Sequence, residues 1–515
     1  MKKLILMLLT LSIMLTSFVA CTPGQTPSES GGESTPSQNV PNETPGETSP
    51  GGETNPPETS SEVVIGNLDP NIDLGGKEVV IVSRDDPWTI DEVSVERTTG
   101  DPINDAIFQR NLNVESQLNI EITNFLTAGT STSDYSVVNA LKNTAGPDCP
   151  YHIAAAPAYT AFENTATGLF QNLYDLEHVD LDQPYWATKY NAEASVGNAQ
   201  YFGTGAISLS LRRFIFVTFF NKVLAENYGL EDLYQVVNDK RWTIEYQTNL
   251  VGNMYMELDG IEGHTEGDAY GFLTDDRLFV DPYVAAVDLR IMTKDDDNFL
   301  VYDPDVERAD KMMQQIYNLF YKSGGTLVVP SDSVYSQFDK ILTKFTSGES
   351  TMMTHRLIVA ESEQMRGMEA EYGILPIPKL DEDQAEYYSL AHDLFNIYAV
   401  VSSVNALDLD GIGAVMEAMA IESYKVVTPA YYEVALKGKY SKDPQSWDML
   451  DMIINNLKIS GGLLYVSQTG VTDRIRTAVK GKKASAGDIF NTFNNKAVDK
   501  KLGVLNKSIQ ELQNG

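Results

Sequence analysis

Residues 101–125 read DPINDAIFQRNLNVESQLNIEITNF, a helix followed at once by a strand. Asp101 stands where a side chain can accept from the first free N–H groups of a helix. Pro102 suits the first helical position, and Ile103, Ile107, Val114 and Leu118 recur on one face. Ile120 to Phe125 is then β-branched and short, as a strand is. Working outward, Glu78 to Ser83 is a strand before the helix, about Tyr135 to Thr144 a second helix, and Tyr151 to Ala156 a further apolar strand bounded by prolines. Strand, helix, strand, helix, strand predicts an α/β fold with a parallel sheet flanked by helices.

Further along the pattern changes. Between about Gln200 and Phe220 it predicts back-to-back strands, and Phe214 to Phe220 is the most apolar stretch of the mature chain, so a first crossing between two lobes is expected there. A helix over Val306 to Tyr321, a strand near Ser350 to Thr354, and helices carrying Ile412, Val415, Met416 and Met419 and then Leu450, Ile453, Ile454 and Leu457 follow. No segment repeats.

The amino-terminal 62 residues speak of location. Lys2 and Lys3 precede an apolar run from Leu4 to Leu15, and Ser17-Phe18-Val19-Ala20 leads into Cys21, which is similar to a lipoprotein signal with Phe18 in place of the usual aliphatic residue. The resemblance implies removal of residues 1–20, a lipid such as palmitate on Cys21, and residence on the outer face of a cell membrane or in a periplasm. The apolar run is too short to span a bilayer. Residues 22–62 hold Pro, Gly, Ser, Thr, Glu, Asn and Gln with Val40 as their only aliphatic residue, a composition that cannot offset the entropy of ordering. Residues 21–62 are therefore expected to be a disordered linker with a mean span of about 35 Å.

From Val63 to Gly515 there remain 453 residues, enough for two lobes. The whole chain carries −34; setting aside the +2 of the leader lysines and the −7 of the seven linker glutamates leaves −29. That acidity argues against nucleic acid and anionic lipid as partners. After Cys21 only Cys149 is left, so the body has neither an internal disulfide nor a thiolate metal cluster, and Cys149 reads as a small hydrophobe.

Several segments resemble the extracellular solute-binding proteins of ABC importers, the maltose-binding-like family 1 group. FFNKVLAENYGL at Phe219 to Leu230, then Arg241-Trp242-Thr243-Ile244-Glu245, is similar to that family's strand, Asn-Lys turn, helix, Gly-Leu and Thr-Trp helix start, with Trp here before Thr. FTSGESTMMTHR at Phe345 to Arg356 resembles its Phe, Gly, small, Met strand, and EYGILPIPK at Glu371 to Lys379 its Gly-x-x-Pro-x-Pro-Lys signature. ERTTGDPINDAIFQRN (Glu96 to Asn111) and PAYYEVALKGKY (Pro429 to Tyr440) look like a subgroup from Gram-positive anaerobes, and RIRTAVKGKKASAGDIF (Arg474 to Phe490) resembles the closing helices.

The resemblance implies a two-lobed, periplasmic-binding-protein-like fold of type II with a ligand cleft between lobes, one lobe of 63–215 with about 389–430 and the other of 216–388 with about 431–515. It implies a monomer that captures a solute, takes no cofactor or metal, and delivers the solute to permease subunits in the membrane. Asn221 and Gly229 are expected to begin and end a helix, and Pro376 and Pro378 to lie on an extended edge.

In open parallel sheets ligands sit beyond the carboxyl ends of the strands. That rule selects Arg84, Asp85, Asp86 and Trp88 after the first strand, Tyr159 after the third, Arg212 and Arg213 before the crossing, Arg356 after the Met strand, and His392 and Asp393 before the strand Leu394 to Val401. Flat aromatics beside planar hydrogen-bonding groups suit a sugar, whose C–H face packs on a ring while its hydroxyls seek polar partners. The family likeness and the 26 tyrosines favour a carbohydrate or oligosaccharide. A peptide binder and a sensor-linked receptor share every one of these features and stay open. An exported glycan hydrolase is the remaining alternative, but Gly-x-Ser-x-Gly, Ser-x-x-Lys, His-Glu-x-x-His, a Walker loop and GxGxxG are all absent from the sequence. Asp295-Asp296-Asp297-Asn298 lacks the turn glycine of a calcium loop and reads as a solvated turn.

Overall fold

The computed structural model describes residues 68–128, 135–332, 336–404, 408–432, 443–458, 461–490 and 495–514. The leader, Cys21, the linker and residues 433–440 of the segment ending at Tyr440 lie outside them. Eleven strands are found among the described residues: β1 Lys77–Arg84, β2 Ile120–Thr127, β3 Ile153–Pro157, β4 Phe216–Asn221, β5 Tyr270–Asp275, β6 Met292–Lys294, β7 Leu300–Tyr302, β8 Thr326–Val329, β9 Ser350–Arg356, β10 Tyr372–Leu375 and β11 Asn396–Val400.

Two sheets organise the body. The first has the order β11-β3-β1-β2, with β1, β2 and β3 parallel and β11 antiparallel to β3. Its first crossover helix, Pro102–Leu118, starts as the sequence predicts, for the Asp101 carboxylate accepts from the N–H groups of Ile103 and Asn104. Ile103, Ile107, Val114 and Leu118 all face inward, each contributing about 1.5–3 kcal/mol of apolar burial. Asn119 then takes a left-handed φ of 52° and turns the chain directly into β2.

The second sheet has the order β10-β4-β9-β5-β8, in which β5 is parallel to both neighbours and β4 runs against β9 and β10. Asn221 ends β4 and its side chain accepts from Leu224 N–H, starting the helix Lys222–Asn227, and Gly229 follows at φ 66°. β10, which leads into Pro376, is an edge strand, as two residues without N–H donors require.

One expectation needs correction. Residues 200–213 do not form strands before β4: single bridges tie Gly203 to Tyr398 and Gly205 to Trp186, and a helix covers Leu209–Arg213. Ser208, whose Oγ accepts from Leu211 N–H, caps that helix and overrides the β-like pattern of large apolar residues. The helix expected over Val306 to Tyr321 is α-helical for Val306–Tyr317 and widens into a π turn at Asn318–Lys322.

The sheets are joined by strand-like crossings. Ile215 pairs with Ala391, Leu357 N–H donates to the Ile215 carbonyl, and Ser389 pairs with Leu457. A second linkage lies at the β6–β7 hairpin, whose turn is the acidic Asp295–Asn298 segment. Lys294 donates to the Ala192 carbonyl at 2.9 Å and Asn298 to that of Gly197 at 2.7 Å. The helix Asn495–Gln513 runs over the same region, Asn506 donating to the Leu300 carbonyl at 2.9 Å and Gln513 to that of Val196 at 3.1 Å. Cys149 is a free thiol packed against the core beside Thr144, as a small hydrophobe would be.

Candidate functional site

The segment Leu390–Phe395 brings the two sheets together. At its start Phe216 N–H donates to the Leu390 carbonyl and His392 N–H to that of Phe214, at the amino end of β4. Because β4 is antiparallel to β9, with Phe216 opposite Arg356, this point is also the carboxyl end of β9. At the segment's other end, Tyr159 N–H donates to the Asp393 carbonyl and Ala158 N–H to that of Phe395, beyond the carboxyl end of β3. The carboxyl edges of both sheets thus converge on six residues, the place where open sheets hold ligands.

Arg84, at the end of β1, is 1% exposed; its Nη2 donates to the Leu394 carbonyl at 3.2 Å and its Nη1 stands 4.0 Å from Asp86. The Asp86 carboxylate also accepts from Trp88 N–H at 3.0 Å, which fixes the turn that leaves the Trp88 ring 47% exposed. Tyr159 packs edge-on against Tyr135 with ring centroids 5.8 Å apart. Asp85 is exposed, with its N–H donating to the Thr127 carbonyl. From the second sheet, the Arg356 guanidinium carbon lies over the rings of Phe214 and Phe338, at 5.3 and 5.4 Å.

His392 sits at the centre. Its Nε2 is 3.6 Å from Asp393, while Nδ1 is buried without a hydrogen-bond partner among the described residues. Burial pushes its pKa well below the ordinary value, and the charges of Arg356, Arg476 and Arg84 push the same way, so the imidazole is neutral at pH 7. The Arg356 Nε is likewise enclosed and unpartnered, and burial brings that guanidinium down to about 10 against a partial offset from Asp86. Next to it His355 is held at about 3, chiefly by burial.

Two cavities flank this cluster. One, of about 10 Å³, is lined by Tyr190, Phe216, Asp281, His392, Asp393 and Phe395. The other, of about 520 Å³, opens where β5 and β8 end and is lined by Asp276, Arg277, Ser331, Asp332, Arg476 and Lys480. Asp281 lines the first and Arg476 the second, and the two form a bidentate pair at 2.7 and 2.5 Å. A larger cavity of about 720 Å³ lies beside the β6–β7 hairpin. Its cations are already engaged: Lys458 by Asp288, Arg290 by Asp303, Arg308 by Gln384, and Lys294 by the Ala192 carbonyl. Because each of these cations already has a partner, that cavity offers a solute fewer unpaired charges than the 390–395 cluster does.

Of the residues selected from sequence, Arg84, Tyr159, Arg356, His392 and Asp393 are gathered at or beside the 390–395 segment, while Asp85 and Trp88 follow Arg84 and are exposed. Arg212 is placed elsewhere. It donates to the Gly205 carbonyl at 3.2 Å and lines a separate cavity of about 270 Å³ with Tyr185, Trp186 and Ile454. Arg213 makes a bidentate pair with Glu361, at 3.0 and 2.9 Å. Phe214, Phe338, Asp281 and Arg476 were not selected. Phe214 had a signal, since it opens the most apolar stretch; Phe338 and Arg476 lie on helices, which the strand-end rule does not search.

No family model matches the chain, and no curated protein matches it. Solved structures do. A family 1 extracellular solute-binding protein from Bifidobacterium longum subsp. infantis aligns over 84% of this chain and 100% of its own, with 12% identity and a TM-score of 0.50. UspC of M. tuberculosis aligns over 84% of this chain and 100% of its own, with 11% identity and a TM-score of 0.50. A cyclo/maltodextrin-binding protein complexed with maltotetraose aligns over 84% and 96%, with 12% identity and a TM-score of 0.50. At identities this low the likeness speaks of architecture, and the chain has the two-lobed α/β fold of the maltose-binding kind of ABC solute-binding proteins.

Proposed function

We propose that this chain is an extracellular solute-binding lipoprotein that captures a carbohydrate between two lobes and delivers it, chemically unaltered, to the permease of an ABC importer. The observation that carries the reading is the convergence of both sheets' carboxyl edges on residues 390–395, where Arg356 Nε and His392 Nδ1, buried without hydrogen-bond partners among the described residues, stand beside the ring of Phe214. Unspent polar atoms beside aromatic faces suit a polyhydroxylated ring. The same fold in complex with maltotetraose supports the substrate class.

In this reading residues 1–20 are a signal peptide, Cys21 carries the lipid and 21–62 form the linker. Residues 63–215 with about 389–430 make one lobe, and 216–388 with about 431–515 the other. Arg84, Asp85, Trp88 and Tyr159 contact the solute from the first lobe together with His392 and Asp393, and Arg356 from the second; Arg212 is no longer among them. Closure is favoured by the free energy gained only when both walls touch the solute. The permease reads the closed shape, and the protein works as a monomer without a cofactor.

A calorimetric screen against glycans, peptides and metal ions tests this. Binding of a glycan is expected, and binding of peptides alone overturns the assignment. Trp88→Ala or Tyr159→Ala is expected to weaken glycan binding by about 1–3 kcal/mol, the usual cost of losing an aromatic anchor, with the unfolding midpoint unchanged. Equal affinity in both variants and the parent shows that the solute rests on another wall. Cys21→Ser is expected to shift the protein from the membrane fraction to the medium, and retention in the membrane refutes lipid anchoring.

A further inference from the structure

Arg356 is the one cation of the converging cluster whose charge is not matched nearby. Arg476 has Asp281 and Asp473, and Arg84 faces Asp86. Arg356 makes no hydrogen bond from its guanidinium and no ion pair with any described carboxylate. Its Nε is fully enclosed, and its neighbours are the rings of Phe214 and Phe338. Aromatic faces attract a guanidinium but accept few of its five N–H donors. Asp86 acts on it only from a distance, with its own oxygens directed to Trp88 N–H and Arg84. Arg356 is only partly buried and Nε alone is fully enclosed, so the rest of the unpaired guanidinium stays open to an anion from outside. His392, 6% exposed and with Nδ1 unpartnered, adds a neutral polar atom to the same wall.

Resting on the carbohydrate reading above, we infer that the solute is an acidic glycan, and that a carboxylate on one of its sugars docks against the nitrogen edge of Arg356. A planar carboxylate meets a guanidinium fork to fork with two parallel hydrogen bonds, the geometry in which arginine exceeds lysine. The net charge of −34 does not forbid this. At physiological ionic strength the field of exposed acids is screened beyond about 8 Å, whereas an enclosed pair is screened far less.

The test is calorimetry on the purified protein with uronic-acid trisaccharides (galacturonate, glucuronate and mannuronate), each paired with its carboxyl-reduced counterpart, and with a sugar phosphate as a further arm. At least one uronate is expected to bind about 10-fold or more tightly than its reduced partner, about 1.4 kcal/mol. Arg356→Gln is expected to bring the ratio between uronate and reduced partner down to about one, whatever the variant's affinity for the reduced glycan. Because a substitution at an enclosed site can disturb folding, the comparison of charged and reduced glycans on the unaltered protein stands by itself. If the reduced forms bind equally or better, the anionic assignment falls and the carbohydrate reading survives. A sugar phosphate bound in preference to every uronate overturns the carboxylate. Binding of peptides and of no glycan, charged or neutral, removes both readings together.

Discussion

Arg476→Ala is expected to destabilise the protein by about 3–5 kcal/mol at pH 7.5, measured by urea unfolding, the usual result of removing one partner from an enclosed ion pair. Arg476 holds both oxygens of Asp281, whose side chain is 3% exposed, and adds an exposed contact to Asp473 at 2.9 Å. Without the guanidinium, the buried Asp281 carboxylate keeps its charge and loses the partner of both its oxygens. Burial already raises its pKa, and Arg476 is the leading opposing influence, so the variant raises it further. A carboxyl with a folded pKa above its unfolded one binds a proton more readily when folded, so stability rises as pH falls through that value. The deficit is therefore expected to shrink at pH 5. A deficit that is constant with pH would show that Arg476 acts by packing. Asp281→Asn combined with Arg476→Gln, which removes both charges, is expected to recover most of the loss.

Trp242→Ala is expected to cost about 3–5 kcal/mol, the range for deleting a large side chain from a core that cannot collapse to fill the space. Trp242 has no exposed surface, its Nε1 donates to the Pro376 carbonyl at 2.9 Å, and its own N–H donates to Tyr387 Oη at 3.1 Å. Trp242→Phe keeps most of the volume and leaves the Pro376 carbonyl without its donor, for an expected loss of about 1–3 kcal/mol. Equal losses in the two variants would mean that the hydrogen bond dominates.

That contact explains why the sequence could be read as far as it was. The Arg241–Glu245 and Glu371–Lys379 segments, quoted separately above, are a single packing unit: Trp242 reaches Pro376, Ile244 N–H donates to the Lys379 carbonyl, and Lys379 N–H to that of Trp242. Motifs of this kind report on structure, so they carried the fold. The Asp101 cap and the strands after it were legible for a local reason, since the pattern and the contacts span few residues. The candidate cluster at residues 390–395 was legible only where a strand end carries a member of it, as at Arg84, Tyr159 and Arg356. Asp281 and Arg476 are 195 residues apart and meet through a helix face, so no spacing announces them. Arg212 lines another cavity because Ser208 turns an apolar, strand-like run into a helix.

The terminal helix bears on tempo. Asn506 and Gln513 ride on one rod, seven residues or about 10 Å apart along its axis, and each grips a carbonyl of a different part of the body, Leu300 and Val196. Any breathing motion that alters the interval between those carbonyls has to snap one grip before it proceeds. At about 0.5–1.5 kcal/mol for each, that slows the motion by a factor of roughly 2 to 10. The pace of any such motion is thereby set partly by the helix Asn495–Gln513, far along the chain from the 390–395 segment.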